Sequence, residues 1–164
     1  MQHNYTTEDL PKIDGAKIGI LQSKWHSEHT DLMVKKCTEI LQAVGAESEV
    51  HLLPGALELP LAADRLGKTK RYDALIVFGV IMKGETFHFD LILRMIEQGF
   101  VRVMHDNDLP ILIEVLPVTS IEHVEARTGD NDNNKGIEAA LAAIEVIKWR
   151  RENPAAQTSY EQRT

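Results

Sequence analysis

The chain is poor in cysteine, in aromatic residues and in long apolar stretches. Its 164 residues include one cysteine, and aromatic side chains account for 5% of them. A chain of this length can bury a proper core as one domain without a disulfide or a metal, and a lone cysteine, Cys37, fits a reducing cytoplasm. No apolar run approaches the roughly 18 residues of a membrane-spanning helix, and the start lacks the basic-then-apolar pattern of a signal peptide. We therefore expect a cytoplasmic protein with no membrane partner.

Clusters of basic residues are also scarce. The formal net charge is −7, and the cluster from Lys148 to Arg151 falls at the end of a predicted helix, where cations complement the helix dipole. This pattern argues against nucleic acid as a partner. An acidic chain that binds a phosphorylated metabolite must instead supply a few cations locally. Arg127 and Lys135, isolated basic residues near glycine turns, suit that task.

The sequence carries no convincing motif for a metal or a nucleotide cofactor. The stretch D-N-D-N-N-K-G, residues 130–136, looks like a calcium loop, but its glycine comes one position late and Leu141 stands where the loop needs glutamate. The neighbouring histidines His26 and His29 bring no further ligands with them. The turn at Gly84 matches neither the phosphate loop of nucleoside-triphosphate enzymes nor a dinucleotide fingerprint. We expect no metal and no cofactor.

Apolar periodicity predicts alternating strands and helices. Strands are expected at residues 16–22, 47–53, 74–78 and 111–116, with helices after Ser27, over residues 59–67, from about Phe89, and around residues 137–147. Short links between them indicate an α/β fold, a flavodoxin-like, doubly wound parallel sheet of four strands with helices on both faces. Residues 16–153 would form this domain. Residues 1–15 would form an arm, disordered alone or paired with a neighbouring subunit, and residues 154–164 a polar tail.

Three of the helices are predicted to turn an apolar stripe towards the sheet. The first would be capped by Ser27 and stopped by Gly45. Its stripe comprises Leu32, Met33, the stem of Lys36, Cys37, Ile40, Leu41 and Val44; the helix after Phe89 would use Ile92, Met95, Ile96 and Phe100, and the last helix Ile137, Ala140, Leu141, Ile144 and Ile147.

Ligand sites of doubly wound sheets lie beyond the carboxyl ends of the strands, which here selects the loops after the first three strands. The third loop is the most informative, because G-V-I-M-K-G-E-T-F-H-F-D, residues 79–90, places a glycine, a hydroxyl and a histidine at the end of a buried strand. Gly84 allows close backbone approach, and the hydroxyl of Thr86 with the N–H groups of the following helix suits an oxyanion such as phosphate. His88 would lie beside that anion; alternatively, it caps or packs the helix start.

The other two loops each contribute one notable side chain. Trp25 follows the first strand in a polar stretch, where an exposed indole indicates stacking on a flat ligand or contact with a partner subunit. Glu58 comes three residues after Gly55, in the turn entering a helix. It either complements the helix dipole or accepts hydrogen bonds from ligand hydroxyl and N–H groups.

Four segments, by their joint order and spacing, resemble the lumazine synthase family of riboflavin biosynthesis over about residues 17–147. They are K-W-H at residues 24–26, P-G-A-x-E-x-P at 54–60, G-x-x-x-x-G-x-T-x-H-x-D at 79–90, and R-x-G followed by N-K-G at 127–136. The resemblance implies a cofactor-free enzyme. It would condense 5-amino-6-(D-ribitylamino)uracil with 3,4-dihydroxy-2-butanone 4-phosphate to give 6,7-dimethyl-8-ribityllumazine, phosphate and water.

The resemblance also implies roles for individual residues. Trp25 would stack on the pyrimidine, and His88 would move protons during imine formation and phosphate elimination. The pyrimidine and ribityl groups would further contact Ala56, Leu57, Glu58, Val80, Ile81, Met82, Ile113 and Lys135. Phosphate would be bound by Gly84, Glu85, Thr86 and, from the adjacent subunit, Arg127.

The chain departs from many relatives in and near this pocket. Leu57 and Ile113 stand where they have phenylalanine, Glu85 where they have a small residue, and Asn131 where they have lysine. The implied pocket is less aromatic and less basic, and a carboxylate at Glu85 is compatible with phosphate only if it points to solvent. Two alternatives to an enzyme therefore stay open, a non-catalytic flavin- or lumazine-binding relative and a shell-forming structural protein.

Self-association is a further implication of the resemblance. Family members form pentamers, decamers or sixty-subunit hollow shells, with sites at subunit interfaces, and riboflavin synthase is a second implied partner. The lack of an insertion before Lys135 favours a shell, whereas Pro11 in the arm opposes it. The size of the assembly therefore stays open.

Overall fold

A computed structural model describes residues 8–84 and 88–155 of the chain. Within them a four-stranded parallel sheet has the order β2-β1-β3-β4, formed by β1 (Lys17–Ser23), β2 (Glu47–Leu53), β3 (Ala74–Met82) and β4 (Ile111–Val118). In the register of the sheet, Ile20 lies between Val50 and Ile76. The predicted doubly wound α/β fold is confirmed.

The strand β3 lies inside the sheet and explains why its sequence is so apolar. Every residue from Ala74 to Ile81 is buried, as expected of a parallel strand covered on both faces. The predicted end at Phe78 is wrong, since the strand continues to Met82. Its pairing with β4 runs on from Gly79, opposite Val115, so tertiary pairing overrides the weak strand preference of glycine.

Helices cover both faces of this sheet. They are α1 (Ser27–Ala43), α2 (Leu59–Lys68), α3 (His88–Asn107), α4 (Ile121–Thr128) and α5 (Lys135–Glu152), and a single 3₁₀ turn at Ala56–Glu58 precedes α2. On one face α1, α4 and α5 surround a core that includes Met33, Phe78 and Ile144. On the other face α2 and α3 enclose a second core that includes Leu75 and Phe100.

The predicted helix stripes are too wide at two positions. Leu32 and Met95 are exposed, whereas their neighbours Met33 and Ile96 are buried. Consecutive helical residues point about 100° apart, so a residue beside a core position is turned out of the interface. The predicted stop at Gly45 agrees with the structure, because this glycine follows α1 with φ of 81°.

Two features differ from the predictions, the start of α1 and the presence of the short helix α4. Ser27 does not cap α1, because the N-cap position is His26 and no side chain accepts a hydrogen bond there. Helix α4 was not predicted at all. It has 8 residues and buries only Val124 and Thr128, which is too little periodicity to identify a helix.

Part of the predicted N-terminal arm packs against the domain. Ile13 is 1% exposed, belongs to the core beside α1, and donates its N–H to the carbonyl of Val44 at 3.0 Å. Arg151 of α5 donates to the carbonyl of Asp14 at 3.2 Å. Among residues 8–84 and 88–155, no helix combines the length and apolar character needed to cross a membrane.

Candidate functional site

One cavity lies where the loops after β1, β2 and β3 meet the start of α3. Its volume is about 550 Å³. We call it the sheet-end cavity, and it is lined by Trp25, His26, Pro54, Gly55, Ala56, Leu57, Glu58, Val80, Ile81, Met82, Gly84, His88, Phe89 and Ile92. Apolar walls with one carboxylate and two imidazoles suit a flat, polar-edged ligand.

Hydrogen bonds that are buried or partly buried fix the loop after β1. Ser23 donates from Oγ to the carbonyl of Trp25 at 3.2 Å, and Thr30 donates from Oγ1 to the carbonyl of Ser23 at the same distance. The side-chain amide of Gln22 donates to the hydroxyl of Thr30 at 3.0 Å. The indole of Trp25, by contrast, is 72% exposed at the cavity. A rigid loop thus holds a large apolar ring where a ligand can stack on it.

His26 sits between this loop and α1 in a strained conformation. Its φ of 60° and ψ of 41° are left-handed, a region that non-glycine residues rarely adopt. Such a conformation costs on the order of 1–3 kcal/mol and is concentrated at functional sites. Its imidazole lines the sheet-end cavity and lies 3.8 Å from the carboxylate of Glu28. His26 belongs to the K-W-H segment but was not among the predicted site residues, because a positive φ at histidine leaves no sequence signal.

The loop after β2 places Glu58 over a glycine. The 3₁₀ turn at Ala56–Glu58 carries the carboxylate back towards Gly55, where an added Cβ would lie 3.1 Å from Glu58 Oε2. A side chain at position 55 would therefore crowd the carboxylate. The P-G-A-x-E spacing thus gives Glu58 its place in the cavity beside Ala56 and Leu57.

The end of β3 and the start of α3 form the remaining wall. Val80, Ile81 and Met82 line the cavity from the strand, and His88 is the first residue of α3 and is exposed. A Cβ at Gly84 would meet no described atom within 4 Å, so its backbone is open to approach. Glu85 and Thr86, predicted to bind phosphate, lie outside the described residues.

The predicted cations Arg127 and Lys135 line a different cleft. This α4–α5 cleft has a volume of about 370 Å³ and is lined by Ala126, Arg127, Asp132, Asn133, Asn134, Lys135, Ile137 and Glu138. Arg127 donates from Nη1 to the carbonyl of His123 at 3.1 Å, and Lys135 donates from Nζ to Glu138 Oε2 at 2.5 Å. Neither cation lines the sheet-end cavity among the described residues.

Ile113, which was predicted from the resemblance alone, is also separate from the cavity. It lies on β4, an edge strand of the sheet, and is 41% exposed. The next residue, Glu114, is half-buried near Lys135 and Glu138. Burial raises the pKa of Glu114 to about 7, and the nearby Lys135 ammonium opposes that rise. The carboxyl of Glu114 therefore changes its protonation state near neutral pH, beside the α4–α5 cleft.

The family model for 6,7-dimethyl-8-ribityllumazine synthase matches residues 15–151 of the chain. The chain belongs to this family. Two 6,7-dimethyl-8-ribityllumazine synthases of Stenotrophomonas maltophilia, from strains K279a and R551-3, are each 36% identical over 149 residues, which cover 89% of this chain and 96% of theirs. A GDP-L-fucose synthetase from Naegleria fowleri bound to NADP is 14% identical with a TM-score of 0.42, over 88% of this chain and 51% of that one. At this TM-score the likeness says nothing about function.

The lumazine synthase motifs are divided between the two clefts. Described residues of the first three motifs, Trp25, His26, residues 54–58, Gly84 and His88, line the sheet-end cavity. Arg127, Asn134 and Lys135 of the R-x-G and N-K-G segments line the α4–α5 cleft. Ile92 was predicted only as a core residue, yet its spacing of four residues from His88 places both on one helix face. Within the described residues no group of three or more His, Cys, Asp or Glu side chains is arranged to hold a metal.

Proposed function

We propose that the protein is a 6,7-dimethyl-8-ribityllumazine synthase. It condenses 5-amino-6-(D-ribitylamino)uracil with 3,4-dihydroxy-2-butanone 4-phosphate and releases phosphate and water. The observation that carries the proposal is the convergence of Trp25, Glu58 and His88, from three separate family motifs, on one cavity at the carboxyl end of the sheet. The family match over residues 15–151 supports the same reaction.

In this proposal the sheet-end cavity binds the pyrimidine. Trp25 stacks on the ring, Glu58 accepts hydrogen bonds from the ribityl hydroxyls, and the apolar wall of Val80, Ile81 and Met82 excludes water from the ring. Ala56 and Leu57 complete the ribityl side. Holding two substrates in contact accounts for most of the acceleration in a reaction that needs no cofactor.

His88 is the proposed proton carrier. It starts α3, is exposed, and lines the cavity, so an imidazole is available beside the reacting amine and ketone. The 5-amino group attacks the ketone carbon, and loss of water gives an imine. A proton then leaves carbon as the C–O bond to phosphate breaks, and the resulting enol becomes a ketone. The ribitylamino nitrogen attacks this second carbonyl, and loss of a second water closes the ring. An imidazole can accept and donate protons in these steps near neutral pH. Such general acid–base catalysis typically raises the rate by about 100- to 10,000-fold.

Phosphate is assigned to Gly84, Glu85 and Thr86 together with Arg127. The open backbone at Gly84 lies in the sheet-end cavity, and Arg127 lies in the other cleft of the same chain. A guanidinium pairs well with phosphate and stabilises it as a leaving group. One chain does not bring these parts together, so we propose that a neighbouring copy supplies Arg127, Lys135 and Ile113.

Turnover by the purified protein with both substrates tests the reaction. Formation of the lumazine, with its loss in a His88→Ala protein of unchanged fold, would support the proposal. Tight binding of the lumazine without any turnover would instead favour a non-catalytic relative. His105→Ala is a matched control, because His105 is exposed on the same helix but lies near its other end.

Co-expression of two impaired variants, assayed at low concentrations of the phosphorylated substrate, tests whether sites are shared. In the proposed shared site, His88→Ala removes a residue of the sheet-end cavity, and Arg127→Ala removes a residue of the α4–α5 cleft. In a random mixed assembly about a quarter of the interfaces then join two intact halves, so activity returns at low concentrations of the phosphorylated substrate. If both halves came from one chain, every site would lack one residue and no activity would return.

Joining the cavity of one copy to the cleft of the next is a head-to-tail contact. Such contacts give closed rings or open filaments, since the two surfaces differ. We propose a closed ring, in line with the pentamers of the resemblance. The mass of the assembly in solution distinguishes a pentamer, a decamer and a sixty-subunit shell, and a monomer that turns over both substrates would contradict the shared site.

A further inference from the structure

The loop between α4 and α5 lies between Arg127 and Lys135 in the chain and contains one buried amide, that of Asn134. Asn134 is 1% exposed and forms the N-cap of α5, directly before Lys135. Arg127 and Thr128 are the last two residues of α4. The position of each cation therefore depends on how this short loop is held.

The side-chain amide of Asn134 holds this loop with both of its N–H donors and with its oxygen. Nδ2 donates to the carbonyl of Thr128 at 2.6 Å and to the carbonyl of Gly129 at 2.9 Å. Oδ1 accepts from the N–H of Gly136 at 2.8 Å. The same amide thus bonds to two carbonyls at the end of α4 and to an N–H at the start of α5.

A second set of contacts ties this loop to α1. Thr128 donates from Oγ1 to the carbonyl of Val124 at 3.0 Å, and its oxygen lies 3.3 Å from Nδ1 of buried His29. Because the hydroxyl proton is used within α4, His29 must be the donor in that contact. At Gly136 an added Cβ would lie 2.0 Å from the carbonyl oxygen of Met33, so α5 begins directly against the backbone of α1.

We propose that Asn134 is a positioning residue, which sets Arg127 and Lys135 at fixed places for substrate bound across the subunit interface. The inference rests on the proposed function. Its basis is geometric, since the Asn134 side chain bonds to the residue after each cation, Thr128 after Arg127 and Gly136 after Lys135. A residue that merely capped α5 would need only the bond from Gly136.

Two substitutions distinguish the bonds from Asn134 to the carbonyls of Thr128 and Gly129 from its capping bond at the start of α5. Asn134→Ser keeps a hydroxyl that can cap α5, but it is too short to bridge to both carbonyls. Asn134→Asp keeps the shape and the cap, but it places an acceptor against the carbonyls of Thr128 and Gly129. Asn107→Ser is the matched control, because Asn107 is also a buried amide with two hydrogen bonds, to Val103 and Asp64, away from both clefts that carry the proposed function.

Steady-state kinetics with each substrate varied, together with hydrogen exchange of residues 129–136, tests the proposal. Asn134→Ser and Asn134→Asp should raise KM for both substrates by about tenfold or more while kcat stays within about threefold, because binding geometry is lost and His88 is untouched. Backbone amides of the loop should exchange about tenfold faster. The Asn107→Ser protein should keep both KM values, whatever its stability.

The outcomes separate the two proposals. Unchanged KM values in both Asn134 variants, with a wild-type protein that turns over, would overturn the positioning role and leave the reaction standing. Raised KM values with loop exchange like that of wild type would also overturn it, since the loop would then not be what the amide holds. A wild-type protein without turnover would reject the proposed reaction, and the positioning role with it.

Discussion

The sheet-end cavity and the α4–α5 cleft differ in chemistry as well as in place. The cavity offers apolar walls with Glu58, His26 and His88, and the cleft offers Arg127 and Lys135. A flat pyrimidine suits the apolar walls of the cavity, whereas a phosphate needs a cation such as Arg127. One chain keeps the apolar walls and the cation in separate clefts, which is why the proposed site draws on two copies. Each prediction below perturbs one side while leaving the other intact.

The largest effect is expected on the cavity side. His88→Ala should lower kcat by about 100- to 10,000-fold because the proton carrier is lost. The side chain is exposed, so the unfolding midpoint should stay close to that of wild type. Single-turnover kinetics measure the chemical step, with His105→Ala as the control. Equal loss of activity in both variants would show that His88 has no special part in the reaction.

On the cleft side, Arg127→Ala should mainly affect the phosphorylated substrate. Loss of a charge-assisted contact should raise its KM by about 10- to 100-fold and leave the KM of the pyrimidine substrate nearly unchanged. Arg102→Ala is the control, since Arg102 is exposed and pairs with Asp106 on α3. Equal increases in both KM values would place Arg127 outside a dedicated phosphate subsite.

The cleft side should also make stability depend on pH through Glu114. Its pKa is raised to about 7 by burial, so the folded protein binds this proton more tightly than the unfolded chain does. The stabilisation from this proton is complete below the unfolded pKa of 4.5 and disappears as pH rises through about 7. Glu114→Gln removes the titration. From pH 5 to pH 8, the unfolding free energy of wild type should fall relative to this variant by about 2 kcal/mol.

Urea unfolding of both proteins at several pH values measures this difference. Parallel stability profiles would contradict a titrating Glu114. The same experiment sharpens the contrast between the clefts, because the ionised form of Glu114 faces Lys135 and leaves the sheet-end cavity unaffected.

The smallest effect is expected from the exposed indole. Trp25→Ala should weaken binding of the pyrimidine substrate by about 3- to 10-fold, the usual value of one stacking contact, without lowering stability. Trp149→Ala is a matched control, because Trp149 is 59% exposed on α5 and lines neither cleft. Calorimetric titration measures both affinities. Equal affinity in the Trp25 variant and wild type would indicate that the ring serves a subunit contact instead.

The sequence by itself determined the order of the main elements and most of the sheet-end cavity. The unbroken apolar run from Ala74 to Phe78 identifies a strand buried on both faces, and the predicted β2 agrees with the structure in full. Trp25, Glu58 and His88 were predicted to lie beyond the carboxyl ends of three strands, and all three line one cavity there, because parallel strands bring their carboxyl ends together.

Only the tertiary structure decided the details that depend on neighbours. The extension of β3 to Met82 follows from pairing with β4, and the exposure of Leu32 and Met95 follows from where the helices contact the sheet. The left-handed His26 and the separation of Arg127 from the cavity leave no trace in composition or periodicity. Periodicity reports which face of an element is buried, whereas a site depends on which elements meet, and that is settled by packing.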